Sequence, residues 1–432
     1  MLAIVILGAN GLIGYALTAD LRCRGFAVRG YARRFTKAQH AALADAAIQT
    51  SVVALSDDRL AGLLNGADIV INTIGVLQGP DADYVHHAFV ARLAAICAGT
   101  PQRLLVHVSV PGEARGDGTA FSRSKREGEA AIAASGAPFV ILRPGFVIAS
   151  NAYGGSALVR ALAVSPFDLP RREVAASFAA TAISDVCETV AHVTTRWRQG
   201  ETAWRAVWDV MEEKPGTVAD VVTEFRSQHG GSAPLMALPG WLMRVGEIAG
   251  DFASLLGWRP PIRSTALAEM RRGVRGNPSA WMAQTGIMPL SRHAAVQAVP
   301  ATVQEAWFAR LYLLKTLALL VLVIFWCASG GIALTVAFTS ARQILLNHGF
   351  GLAVAQGITI ASSLLDILVG VAIAFHRTSR IGLMAGILVS LGYMTGAAVL
   401  TPDMWAEPLG ALVKTGPAIV LMLFCLAIWD DR

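Results

Sequence analysis

Charge is what this chain of 432 residues has least of. Only 15% of it is Asp, Glu, Lys or Arg against 54% hydrophobic, and the mean hydropathy is +0.52. The shortage is uneven: up to about Arg310 charged and apolar residues mix as in a globular protein, and beyond it charges nearly vanish. That shift marks a domain boundary and implies a membrane. Cysteine is scarce too. Cys23, Cys97, Cys187, Cys327 and Cys425 are odd in number and include no C-x-x-C pair, which argues against a disulfide framework and a zinc site. No His, Cys, Asp and Glu cluster has metal-ligand spacing, so no metal is expected. No basic run is interleaved with aromatics, so the net charge of +6 suits the cytoplasmic leaflet of a bilayer better than nucleic acid. No basic segment precedes the first apolar run, which is short and flows directly into glycines. It is therefore no signal peptide, and the large N-terminal part is expected in the cytoplasm.

That first run organises the chain. Residues Leu2 to Leu7 are apolar and lead into Gly8, Gly11 and Gly14, after which Ala16, Leu17 and Leu21 continue an apolar, helix-compatible segment. The order is strand, tight turn, helix. Glycine there lets the chain turn sharply, brings backbone N–H groups close to a pyrophosphate and allows the helix to pack on the sheet. The helix N-terminus adds the positive dipole end. The residues expected to line the pyrophosphate are Gly8, Asn10, Gly11, Leu12, Ile13 and Gly14. Further strands are expected near 26–31, 51–55, 68–73, 104–110 and 139–142, alternating with helices, so the economical fold is an α/β doubly wound parallel sheet. No acidic residue occurs between Arg22 and Gln39, while Arg33 and Arg34 follow the second strand. An arginine there accepts a 2′-phosphate, which favours NADP(H) over NAD(H); the alternative is a solvated basic turn.

The Gly-x-x-Gly-x-x-Gly spacing resembles the cofactor loop of the short-chain dehydrogenase/reductase superfamily, and its wording is most similar to the extended and atypical members related to NAD-dependent epimerases and dehydratases. The resemblance implies that Asp57, after the third strand, lies near the adenine and that Thr73 and Gly75 pass beneath the cofactor. His107-Val108-Ser109 and, twelve residues on, Phe121 to Lys125 resemble the superfamily's catalytic serine and Tyr-x-x-x-Lys helix. Ser109 would orient substrate and Lys125 would hold the nicotinamide ribose. The tyrosine position, however, holds Phe121, which has no proton to give. Tyr84, His86, His87 and Tyr153 are the substitute donors weighed. Arg143-Pro144-Gly145 resembles the segment beside the nicotinamide, and Ala182 to Val186 another extended-family piece, whose Asp185 is expected to cap a helix. Such a departure at the tyrosine is similar to members like an accessory subunit of respiratory complex I, which retain a dinucleotide without obvious turnover. Residues 151–310 would form the smaller lobe that closes over substrate. The set Trp204, Trp208, Trp241, Trp258 and Trp281 reads as core or membrane-interface packing.

The tail reads as four membrane spans: 316–339, 349–375 broken only by Asp366, 381–400, and about 409–429 with Lys414 near its start. Arg377 and Arg380 between the second and third spans predict a cytoplasmic loop, and an even number of spans returns residues 430–432 to the same side. The expected location is a multi-pass protein of the inner, cytoplasmic membrane. Phe325-Trp326, Ser329-Gly330-Gly331, Asp366 with Gly370, Tyr393, and Pro402, Trp405, Pro408, Gly410 and Lys414 resemble the DoxX-like family of four-helix membrane proteins. That resemblance implies a link to quinones. Asp366 and Lys414 draw notice because ionisable groups in spans are costly. The architecture expected is thus a Rossmann core at 1–150, a closing lobe at 151–310 and a four-helix transmembrane domain at 311–432. Two readings follow: a membrane-anchored NADP(H)-dependent reductase of a quinone or lipid substrate, or a nucleotide-binding structural or sensing subunit of a membrane assembly with a membrane-protein partner. An epimerase or dehydratase is the weaker third, because it too relies on the missing tyrosine.

Overall fold

The computed structural model describes residues 2–100, 102–406, 410 and 412–429. The chain forms two compact units, one of Met1–Ile248 with Pro261–Ala309 and one of Ala249–Pro260 with Arg310–Arg432.

The first unit is built on β1 (Ala3–Leu7), α1 (Leu12–Cys23), β2 (Ala27–Ala32), α2 (Lys37–Leu43), β3 (Ala47–Gln49), α3 (Asp57–Leu63), β4 (Ile69–Asn72), α4 (Phe89–Ala98), β5 (Leu104–Val108), α5 (Ala120–Ala134) and β6 (Phe139–Pro144). With the strand Arg205–Val210 these form a seven-stranded parallel sheet in the order Arg205–Val210, β6, β5, β4, β1, β2, β3. Alternation along β1 serves both faces. Ile4 and Ile6 point to a layer with Leu17, Leu21, Val190 and Trp208; Val5 and Leu7 point to one with Leu60, Phe89, Leu93 and Ile132. Helices therefore cover both faces of the sheet, as buried parallel strands require. The expected third strand at 51–55 is corrected: β3 lies at Ala47–Gln49, and Val52–Ala54 form a 3₁₀ turn that leads to the Ser56 start of α3. Short apolar runs such as this one do not identify a strand by periodicity alone. The proline of Arg143-Pro144 closes β6, and a short strand, Phe146–Ile148, follows it and pairs with Ala180–Ala182.

A third cluster, including Ile148, Leu162, Phe178, Val221, Phe225, Met243, Leu267 and Val296, forms a further hydrophobic core within the first unit. Trp204, Trp208 and Trp281 are core residues: Trp208 Nε1 donates to Gln284 Oε1 at 3.1 Å and Trp281 Nε1 to Thr189 Oγ1 at 3.0 Å. Trp241 instead is two-thirds exposed.

Among the described residues of the second unit, three helices, Val303–Leu334 (its first turns counted with the first unit), Leu352–Ala374 and Ser379–Leu400, are long and apolar enough to cross a membrane. The expected first loop at 340–348 is mostly a further helix, Phe338–Asn347. The fourth expected span differs as well. Its described helix, Thr415–Ala427, has 13 residues, about 20 Å of helix against a hydrocarbon core of about 30 Å. Lys414 stands at the N-cap of that helix rather than inside it, because residues 412–414 turn. Leu409, where that span was expected to begin, Pro408 of the motif, and residues 430–432 lie outside the described residues. Small residues let the helices meet: a Cβ on Gly330 would lie 2.3 Å from the Ser363 carbonyl oxygen, and one on Gly370 2.5 Å from Cys327 Sγ.

Candidate functional site

The glycine turn after β1 has no room for side chains where it matters. Gly8 has φ +89°, and a Cβ on Gly14 would lie 2.3 Å from the Gly8 carbonyl oxygen. Gly11 is the N-cap of α1 and offers no capping side chain, so the first-turn N–H groups of Leu12, Ile13 and Gly14 face outward for an external acceptor. Asn10, between these glycines, is exposed and accepts from Gln39 Nε2 through its carbonyl at 3.0 Å. A turn with glycine at its tightest points, ahead of an uncapped helix at the carboxyl end of a central strand, is the cradle a dinucleotide pyrophosphate needs, and the residues present fit that group.

The neighbouring strand ends close around this turn. Thr73 Oγ1 donates to Leu7 O at 2.8 Å, tying the end of β4 to β1. Asn72 Oδ1 accepts from Ile74 N at 3.1 Å and its amide donates to His107 Nδ1 at 3.1 Å. Lys125, on α5, is 5% exposed and extends its Nζ to Val108 O at 3.0 Å and Ile74 O at 3.3 Å. A Cβ on Gly75 would sit 3.6 Å from that Nζ, so the chain passes there without a side chain. Burial lowers the Lys125 ammonium to about 8, with nearby Glu129 opposing the drop. Gly8, Gly14, Thr73, Gly75, Ser109 and Lys125 therefore converge at the carboxyl ends of β1, β4 and β5.

Ser109 is 5% exposed; its hydroxyl makes no hydrogen bond of normal geometry, although it lies close enough to Glu129 to favour that carboxylate. Phe121 packs edge-on against His86 with ring centroids 5.3 Å apart. His86 is fully buried: Nε2 accepts from Val76 N at 3.0 Å, which leaves Nδ1–H to donate to Ser124 Oγ at 3.0 Å. Burial, helped by Lys125, pushes His86 down to about 3, so it is a neutral positioning ring and not an acid. Tyr84 is exposed and accepts from Arg92 at 2.6 Å. The same arginine holds Asp57 at 2.7 Å, on the exposed first turn of α3. Arg33 and Arg34 are exposed just past β2, ahead of the Thr36 capping box of α2. Asp185 is not the cap it was expected to be. Ala182 is the N-cap and Asp185 lies in the first turn, buried and accepting from Leu290 N at 3.0 Å. Burial raises it to about 6.

Sequence reading missed Glu129 and the charges gathered on it. Glu129 is one helical turn beyond Lys125, and burial pushes its carboxyl up, but Arg143 and Arg126 outweigh this and hold it below its ordinary value. Arg143 contacts it through Nε at 2.9 Å and again through its terminal nitrogen, and Arg126 NH1 at 2.9 Å. Arg126 also reaches Asp117 at 3.1 Å, and Asp117 takes Arg272 at 2.6 Å. The i, i+4 spacing of Lys125 and Glu129 and the i, i+3 spacing of Arg126 and Glu129 on α5 were signals available in the sequence; Arg143 arrives from β6 and was not. The structure also brings together Asp83, His87 and Glu127, three exposed residues whose ligand atoms lie within 4.8 Å of one another. In the second unit Asp366, which is 7% exposed, accepts from Tyr393 Oη at 2.8 Å and Ser329 Oγ at 3.2 Å.

Comparison with known proteins agrees with both halves. Residues 8–185 match the NAD(P)H-binding family model and residues 323–423 the DoxX-like family model. No curated protein sequence matches the chain. Among solved structures, human epimerase family protein SDR39U1 with NADPH is 19% identical, with TM-score 0.51, covering 69% of this chain and 99% of that one. The Bordetella bronchiseptica enzyme WbmH with NAD+ is 14% identical with TM-score 0.51, covering 71% and 99%. TunA, an NAD-dependent NDP-hexosamine 5,6-dehydratase, is 15% identical with TM-score 0.51, covering 72% and 99%. At these identities the likeness is one of fold. The chain thus joins an NAD(P)H-binding domain, with the Rossmann-like fold seen in epimerase and dehydratase structures, to a membrane domain of the DoxX-like family.

Proposed function

We propose that this chain is a membrane-anchored, NADP(H)-preferring atypical short-chain reductase acting on an apolar substrate of the quinone or lipid class. The observation that carries the reading is Lys125. A buried ammonium held by the carbonyls of Val108 and Ile74, at and past the ends of the strands beside the glycine turn, suits the nicotinamide ribose. When bound, the nicotinamide supplies hydride. The chain's own residues then bind and orient: the first-turn N–H groups of α1 take the pyrophosphate, Arg33 and Arg34 the 2′-phosphate, Asp57 lies toward the adenine, Thr73 and Gly75 shape the floor, and Pro144 fixes the turn beside the ring. Ser109 offers a buried hydroxyl toward substrate. Phe121 gives no proton, so the substrate oxygen would take its proton from water after hydride transfer, and a substrate that delocalises the negative charge left on that oxygen in the meantime, such as a quinone, suits the site better than a simple ketone. The membrane domain, in the inner membrane with both the dinucleotide domain and the C-terminus cytoplasmic, would supply the apolar substrate.

The second reading is favoured by Phe121 itself: a nucleotide held for structure or redox sensing within a membrane assembly. One experiment separates them. Protein purified in mild detergent is stripped of nucleotide, which is identified by mass, and NADPH is followed at 340 nm with a short-chain quinone. Oxidation that disappears in Lys125→Ala supports the reductase. Stoichiometric, unreactive nucleotide supports the binding protein and rejects the reductase.

A further inference from the structure

The helix Gly240–Leu255 carries a face of which the sequence reading noted only Trp241. Trp241, Val245, Ile248, Phe252 and Leu255 are 66, 51, 70, 62 and 80% exposed. They recur at i, i+4, i+7, i+11 and i+14, which at 100° per residue confines them to one narrow stripe, about 21 Å long. The opposite side is already in use. Met243 is buried in the third hydrophobic cluster of the first unit, and Glu247 pairs with Arg271 at 2.9 Å. An apolar stripe of five large side chains facing outward is not how a water-exposed helix is patterned.

What covers it follows from where the helix ends. Residues Ala249–Pro260 belong to the membrane unit. Leu256 O accepts from His376 N at 3.0 Å, and Trp258 Nε1 donates to Ala374 O at 2.7 Å. The Trp258 ring meets His376 and Trp429 with centroids 5.0 and 5.8 Å away. Lys315 lies over Trp429 at 5.5 Å and donates to Ile428 O at 2.9 Å. Tryptophans, a histidine and a lysine thus gather at the end of the bundle where the Leu352–Ala374 helix stops and Arg377 and Arg380 follow. That composition belongs to a membrane–water boundary. The stripe runs into this boundary without a break in the helix.

We infer that Gly240–Leu255 is an interfacial helix whose Trp241, Val245, Ile248, Phe252 and Leu255 lie in the bilayer among headgroups and upper acyl chains. The inference rests on the membrane reading of the second unit and on no property of the nucleotide site. Its test places single spin labels at Ile248→Cys and Phe252→Cys in a Cys23→Ser background, the other four cysteines being buried or half-buried. The full chain is placed one copy per nanodisc of phosphatidylcholine and phosphatidylglycerol, and Arg59→Cys, exposed on α3, serves as the aqueous control. Retained dinucleotide certifies that each labelled chain is folded. Collisions with oxygen are expected to exceed those with a water-soluble nickel chelate at 248 and 252, and the ratio to reverse at 59. Nickel access at 248 and 252 equal to that at 59 overturns the inference. So does spin–spin broadening between copies in larger discs together with nickel access in single-copy discs, which would assign the stripe to a second copy of the chain. Because no cofactor turnover is read, failure here leaves the reductase reading intact, and failure of that reading leaves this one intact.

Discussion

The two units bury charge in opposite ways. In the nucleotide-binding unit Glu129 and Asp117 are almost fully buried and tied to Arg143, Arg126 and Arg272 in one continuous network. In the membrane unit the buried carboxyl group of Asp366 takes its hydrogen bonds from the hydroxyls of Ser329 and Tyr393. A unit that folds in water can recruit long cationic side chains from several elements and let their stems cover apolar surface. Within lipid each further ion is expensive, and short hydroxyl side chains satisfy the group more cheaply. Glycine shows the same divergence. Gly14 and Gly330 would each drive a Cβ to 2.3 Å from a backbone oxygen, one to keep a ligand turn open and the other to bring two apolar helices together.

The largest effects expected would break this comparison one unit at a time. Gly14→Val should abolish dinucleotide retention, because the clash is with backbone and the turn must open. Gly330→Val should leave retention intact and destabilise the membrane unit by about 1–3 kcal/mol, read as loss of the detergent-stable fold on heating. Equal loss of retained nucleotide in both variants would mean that the units do not respond separately.

A smaller effect sharpens the electrostatic half. Lys125 is lowered from 10.5 to about 8, so between those values the unfolded chain holds more protons than the folded one and stability rises with pH. Below about 8 the buried charge opposes folding in full. Denaturation of the nucleotide-free protein should show stability growing by about 3 kcal/mol across that window, and Lys125→Met should remove the slope while raising stability at pH 7. A slope unchanged in Lys125→Met would place its origin elsewhere. Smaller still, Arg33→Ala with Arg34→Ala should weaken NADP(H) about tenfold relative to NAD(H), or about 1.4 kcal/mol. Calorimetric titration with both cofactors checks it, and an unchanged ratio reduces these arginines to a solvated turn.

Sequence alone determined what local chemistry can write. The glycine turn, the apolar runs of β1 and β4, the alternation of strand and helix and the collapse of charge after Arg310 each declare a period or a composition within a dozen or two residues. The resemblance to the short-chain superfamily set Phe121, four residues before Lys125, against the tyrosine it implies there. Tertiary structure alone decided the rest. Glu129 gained Arg143 from β6, and His86 lost its acidity to burial against Phe121 and Lys125. Asp185 gave up the cap for Leu290, more than a hundred residues away. The stripe on Gly240–Leu255 was spelled out in the sequence by its spacing, but only packing could show that the opposite face is the one buried. Periodicity reports which side chains share a face; solvent, lipid and neighbouring elements decide which face is covered.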